Sequence, residues 1–186
     1  MEEIEIYLDT AREMMEKAVA HTKVELAKIR AGKAMPSMLD GLMVEYYGNP
    51  TPINQVASVS TPDARTIFIK PWEKSMIGAI EKAIINSDLG LNPQNDGENI
   101  ILNVPQLTEE RRMQLAKQAK SATEDGKISI RNARKEANDE LKKLLKDGVS
   151  EDAVKGAEDE VQSLTDKFTK KMDELFEHKE KEIMTV

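Results

Sequence analysis

Lys120, Lys127, Arg131, Arg134 and Lys142 are the side chains of this sequence whose type and spacing could do chemistry, and that chemistry is the binding of phosphate oxygens. They recur at steps of seven, four, three and eight residues. At about 100° per helical residue the five fall within roughly a quarter of a helix circumference, with Asn138 among them. Cations aligned in this way can track phosphates without reading base sequence, each contact releasing a counterion. The segment from Pro105 to Lys146 holds eleven Lys and Arg against seven Asp and Glu, whereas Ser150 to Val186 holds six against eleven. The net charge of −7 argues against indiscriminate polyanion binding, while the local stripe permits one specific phosphate-rich surface. Glu124 interrupts the stripe, and an ordinary solvated helix face remains open as the alternative.

Other chemistry has little to stand on. Cysteine is absent, which removes disulfides, thiolate nucleophiles and cysteine metal ligands together. His21 and His178 lie in separate amphipathic runs without an acidic or hydroxyl companion at a recognised spacing. The glycines at 90, 97, 126, 148 and 156 stand alone and form no phosphate loop. A hydrolase would need a pair among the middle segment's carboxylates, such as Glu45, Asp63 or Asp88, but Asp63 beside Pro62 reads first as a turn residue and Asp88 as a helix terminator, so an active site is not expected there. The expectation is a protein with no catalytic residues, no metal and no cofactor. None of the seven aromatics stands in the basic stripe, so single-strand stacking is disfavoured. No apolar run is long enough for a membrane span and the first turns are acidic, so the expected location is cytoplasmic.

Three amphipathic segments position the stripe. The first repeats Ile4, Leu8, Ala11, Met15, Ala18, Thr22, Leu26 and Ile29; the second repeats Leu115, Ala119, Ala122, Ile130, Ala133, Ala137, Leu141 and Leu144. The third repeats Val154, Ala157, Val161, Leu164, Phe168, Met172 and Leu175. Steps of three and four describe long helices with one buried stripe each. Thr108 can cap the second helix, Gly148 can stop it and Ser150 can cap the third, so these two run antiparallel. The core stripe through Ala119, Ala133 and Ala137 lies about 100° around the helix from the basic one, so burying the former leaves the latter on the flank.

Between the first and second helices the pattern changes. Leu42–Tyr47, Val56–Ser60 and Thr66–Lys70 are short, β-branched and aromatic, and a helix over Glu73–Asn86 precedes a last strand near Ile100–Val104. The fold class is therefore α+β: a long three-helix bundle from residues 1–30 and 105–186, with a small α/β domain from residues 31–104 inserted into it. Gly32, Pro36 and Pro105 at the two crossings have the composition of a hinge, and an ordinary rigid turn fits them equally well.

Four ordered strings then carry a resemblance. They are Lys28-Ile29-Arg30-Ala31-Gly32-Lys33-Ala34-Met35-Pro36 with Val44-Glu45-Tyr46-Tyr47-Gly48 downstream; Ser87-Asp88-Leu89-Gly90-Leu91-Asn92-Pro93; Leu107-Thr108-Glu109-Glu110-Arg111-Arg112; and Ile130-Arg131-Asn132-Ala133-Arg134-Lys135-Glu136-Ala137-Asn138-Asp139. The chain resembles the bacterial ribosome recycling factor family essentially from end to end. The resemblance implies an L-shaped, tRNA-like translation factor that acts with elongation factor G and GTP to split the post-termination complex, releasing subunits, mRNA and deacylated tRNA. It implies a bundle lying on 23S rRNA of the large subunit, an inserted domain facing elongation factor G, and GTP as the partner's cofactor. A monomer is expected. The family's rRNA contacts fall on Arg131 and Arg134, and on Arg30 with Gly32 and Lys33 in the motif closing the first helix. Lys33 stands where the family more often has Arg, which keeps the charge and loses the planar bidentate fork. Lys127 and Asn138 join this set from the stripe itself. If the first two helices are antiparallel, Arg30 sits near the start of the second helix while Arg131 lies about 36 Å along it.

Overall fold

The computed structural model describes residues 2–185. Along the chain come α1 (Glu2–Ala27), β1 (Met43–Tyr46), β2 (Asn49–Pro52), β3 (Ala57–Asp63), β4 (Thr66–Pro71), α2 (Ile77–Ile85), β5 (Pro93–Asn95), β6 (Ile100–Asn103), α3 (Glu109–Lys146) and α4 (Glu151–Met184). Two compact units result, one built from α1, α3 and α4 and the other from Gly32–Thr108. The crossings thus fall after Ala31 and Thr108 instead of after Arg30 and Val104. Leu107 keeps the second crossing with the insert: Gly32 has φ +73°, and a Cβ there would overlap Leu107 Cγ and stand 2.7 Å from Cδ1.

In the bundle, Leu8 and Ala11 of α1 pack with Ala137, Leu141 and Leu144 of α3 and with Val154, Ala157 and Val161 of α4. Further along, Met15 and Val19 meet Ile130, Ala133, Phe168 and Met172. Numbers rise along α1 and α4 while they fall along α3, so α3 is antiparallel to both. Gly148 at φ 92° ends α3, and the Ser150 hydroxyl accepts the Ala153 N–H at 3.3 Å to start α4.

The buried stripes depart from the sequence pattern in a consistent way. Val19 is buried where Ala18 was expected, Thr123 and Gly126 replace Ala122, and Thr165 replaces Leu164. α1 stops at Ala27, so Ile29 lies beyond it, and Lys179 with Ile183 continues the α4 stripe in place of Leu175. A strict three-four alternation drifts by about 20° per seven residues relative to a straight helix, which moves the true contact to the neighbouring residue. The threonines tolerate burial because Thr123 Oγ1 donates to the carbonyls of Lys120 (2.9 Å) and Ala119 (3.2 Å), and Thr165 Oγ1 to that of Val161 (2.8 Å).

The insert holds a β1–β2 hairpin and a four-stranded antiparallel sheet in the order β3-β4-β6-β5. Val44, Ile53, Ile67, Ile69, Ile80, Ile84, Ile100 and Leu102 make its core. Tyr47 at φ 47° and Gly48 at φ 82° form the hairpin's two-residue turn, whose positive angles match the twist of the strands. The sequence pattern missed β2 and β5, which carry Pro50, Pro52 and Pro93; both lie at edges, where a missing N–H costs no ladder bond. The expected helix from Glu73 is also shorter, beginning at Ile77 after a single 3-10 turn over Lys74–Met76.

Candidate nucleic-acid interface

α3 carries the ridge because the flank about 100° around it is occupied by the core. Its buried face runs through Ala119, Ile130, Ala133 and Ala137, which turns Lys120, Arg131 and Lys142 outward and leaves Arg134 and Asn138 half-buried at the edge. Lys120 and Lys142 are about 33 Å apart along the axis, so the ridge spans several phosphates. Arg131 Nε donates to the Lys127 carbonyl at 3.4 Å, which holds the guanidinium against its own helix and leaves both terminal amino groups for an outside acceptor. Among the described residues neither Arg131 nor Arg134 enters an ion pair.

Lys127 differs from its neighbours. Its ammonium stands 2.5 Å from Asp173 Oδ1 on α4 and 3.5 Å from Glu124 Oε1, and its side chain is 22% exposed. The hydrogen bond to Asp173 raises its pKa, so the charge is held on a partner across the seam to α4. Sequence spacing had placed Lys127 with the free cations; an acid on another helix, 46 residues away, moves it out of that set. Asn138 keeps its place on the ridge, with Oδ1 buried and without a hydrogen-bond partner. An orphaned buried acceptor costs about 1–3 kcal/mol, so this position is not optimised for stability alone.

The remaining sequence candidates lie elsewhere. Arg30 is exposed just past the end of α1. Thr22 of α1 faces Gly126 of α3, so α1, ending at Ala27, stops about 15 Å along the bundle axis from Arg131, opposite the interior of α3 and not its start. Lys33 is exposed and Gly32 half-buried, both within the inserted unit. Pro36 opens a 3-10 turn over Pro36–Leu39, and Pro105 is exposed in the stretch before α3.

The insert has a polar feature that spacing did not reveal. The hydroxyls of Tyr46 and Tyr47 donate to Glu73 Oε1 (2.9 Å) and Oε2 (3.1 Å), and the two rings meet edge to face with centroids 4.5 Å apart. The bonds to Glu73 raise both phenol pKa values. Only the folded hairpin brings Glu73 under residues 26 and 27 positions earlier. Among the described residues no group of three or more His, Asp or Glu could hold a metal, and no helix is long and apolar enough to cross a membrane.

Comparison with known proteins identifies what the chain is similar to. A family model described as ribosome recycling factor matches residues 22–184. A ribosome-recycling factor of Cytophaga hutchinsonii is 60% identical over 186 residues, covering 100% of both chains. A solution structure of a ribosome recycling factor superposes with a TM-score of 0.74 at 39% identity, covering 100% of each chain. A T. thermophilus ribosome recycling factor, described with E. coli elongation factor G on the E. coli post-termination complex, has a TM-score of 0.60 and 45% identity over 98% of this chain and 99% of that one.

Proposed function

This chain belongs to the ribosome recycling factor family, and we propose that it takes apart the post-termination ribosomal complex together with elongation factor G and GTP. Subunits, mRNA and deacylated tRNA are then free for reuse. The bundle docks on 23S rRNA of the large subunit through Arg131, Arg134 and Asn138, with Lys120 and Lys142 extending the ridge and Arg30 and Lys33 adding contacts beyond it. The inserted domain, residues 32–108, faces elongation factor G. GTP is hydrolysed by that partner; this chain acts in the cytoplasm as a monomer, without a cofactor or catalytic residues of its own. Gly32, at φ +73°, gives the backbone freedom at the first crossing, while Pro36 and Pro105 stiffen the chain on the insert's side of the two crossings, which is the composition of a hinge.

The observation that carries the reading is the pair of arginines about 4.5 Å apart in helical rise, Arg131 exposed and Arg134 at the edge of the buried face, both unclaimed by any acid among the described residues. Guanidinium groups so placed suit a preformed phosphate surface, and a helix bundle of this length suits a footprint no small ligand could cover. The test is breakdown of polysomes by the purified chain with elongation factor G and GTP. Conversion to free subunits that requires all three supports the role; intact polysomes with an active GTPase refute it.

A further inference from the structure

We propose that Asp173 withholds Lys127 from the rRNA-binding ridge, so that the free chain presents one cation fewer than the helix carries. The inference rests on the ridge being the rRNA-binding surface. Lys127 lies between Lys120 and Arg131 on one face of α3, at a spacing that would place it in the row. Its ammonium crosses instead to α4, 2.5 Å from Asp173 Oδ1, with Glu124 Oε1 3.5 Å away on its other side. The lysine side chain is 22% exposed while Asp173 is 54% exposed, so the cation is laid against the bundle and the acid stays in water.

Two properties make this pair exchangeable. An ammonium is a point charge on a flexible four-carbon stem, so it can trade a carboxylate for a phosphate without any movement of the helix. The pair sits at the surface, with Asp173 more than half exposed, and an ion pair in contact with water contributes modestly and is screened by salt, so releasing it leaves the apolar core of the bundle in place. While Asp173 and Glu124 flank the lysine, phosphates over this turn meet no net positive charge. The pair therefore caps affinity for rRNA. Related complexes differ chiefly in their off-rates, so what the cap governs is release from the ribosome.

The experiment measures binding of the full chain to isolated large ribosomal subunits between 50 and 200 mM salt, for the native sequence, Asp173→Asn, Lys127→Met and the double variant. One additional phosphate contact steepens the slope of log K against log salt by about 0.9 and amounts to about a threefold change in affinity across this range. Asp173→Asn should bind at least about threefold tighter at low salt, with that steeper slope. Lys127→Met should bind no more tightly than the native chain, since it leaves Asp173 unpaired, and the double variant, which keeps the local charge of the native pair, should lose the gain and match the native chain. The proposal is overturned if Asp173→Asn leaves binding unchanged, or if its gain survives in the double variant, since the acid would then only repel RNA. A flatter slope in the double variant than in the native chain would also overturn it, since Lys127 would already be touching phosphate. An Arg131→Gln, Arg134→Gln chain, run alongside, separates the two levels. If that chain binds as the native one does, the ridge reading fails and this inference with it; if it weakens while Asp173→Asn does nothing, only this inference fails. Helical circular dichroism on every variant confirms that the bundle is intact.

Discussion

Replacing Gly126 by alanine sets two effects of opposite sign against each other. Inside a helix the change relieves backbone entropy and contributes about 1 kcal/mol of stability. At Gly126, however, an added Cβ would overlap Thr22 Oγ1 of α1 and stand 2.6 Å from Met172 Cε and 2.9 Å from its Sδ. Thr22 is 1% exposed and Met172 is 0%, so neither side chain can retreat into water. Met172 can swing its flexible thioether, whereas Thr22 is branched at Cβ and stiff, so α1 itself has to move. Overpacking of this kind costs about 1–3 kcal/mol, which exceeds the propensity gain and leaves a net loss of about 1 kcal/mol. For a chain of this length that lowers the thermal midpoint by about 2–4 °C. Gly156 supplies the control: it is helical and exposed in α4, with nothing within 4 Å of its Cβ position, so Gly156→Ala should stabilise by about 1 kcal/mol. Urea unfolding followed by far-ultraviolet circular dichroism, which reports mainly the bundle helices, measures both. Equal stabilisation by the two substitutions would refute the close approach of α1, α3 and α4 at this point.

Two further outcomes test other parts of the molecule. Glu73→Gln should bring the phenol titrations of Tyr46 and Tyr47 back toward the ordinary tyrosine range, read by ultraviolet difference spectra; in the native chain the raised folded-state values mean that the clamp's stabilisation is complete below the ordinary tyrosine pKa and is lost as pH climbs through the raised ones. An Asn138→Ala chain should unfold at the same or slightly higher denaturant concentration while binding large subunits more weakly, because it removes the orphaned buried oxygen together with an amide of the ridge; loss of stability without loss of binding would make Asn138 a core residue.

The bundle was legible because its signals are local. The apolar spacing of three and four, Gly148 and Ser150 act within a few residues, and the structure uses them as their chemistry suggests. What spacing could not show was burial decided by a second helix. Thr123 and Gly126 enter the core because α1 and α4 approach there, and a threonine's bond to its own helix, or a glycine's missing side chain, is what permits it. The proline-bearing strands β2 and β5 escaped notice for a related reason, since being at an edge is a property of the sheet and not of the strand. At the ridge, the exposure of Arg131 followed from the angle between two stripes on one helix, whereas the fate of Lys127 depended on Asp173 arriving from another.

The salt dependence of binding to large ribosomal subunits by an Arg131→Gln, Arg134→Gln chain tests the central claim most directly. With both phosphate contacts removed, the slope of log K against log salt should flatten by about 1.8, and affinity at 50 mM salt should fall by at least tenfold, at about 0.9 in slope per contact. A slope and affinity equal to those of the native chain would contradict the account, because Arg131 and Arg134 of α3 would then not be where this protein meets RNA.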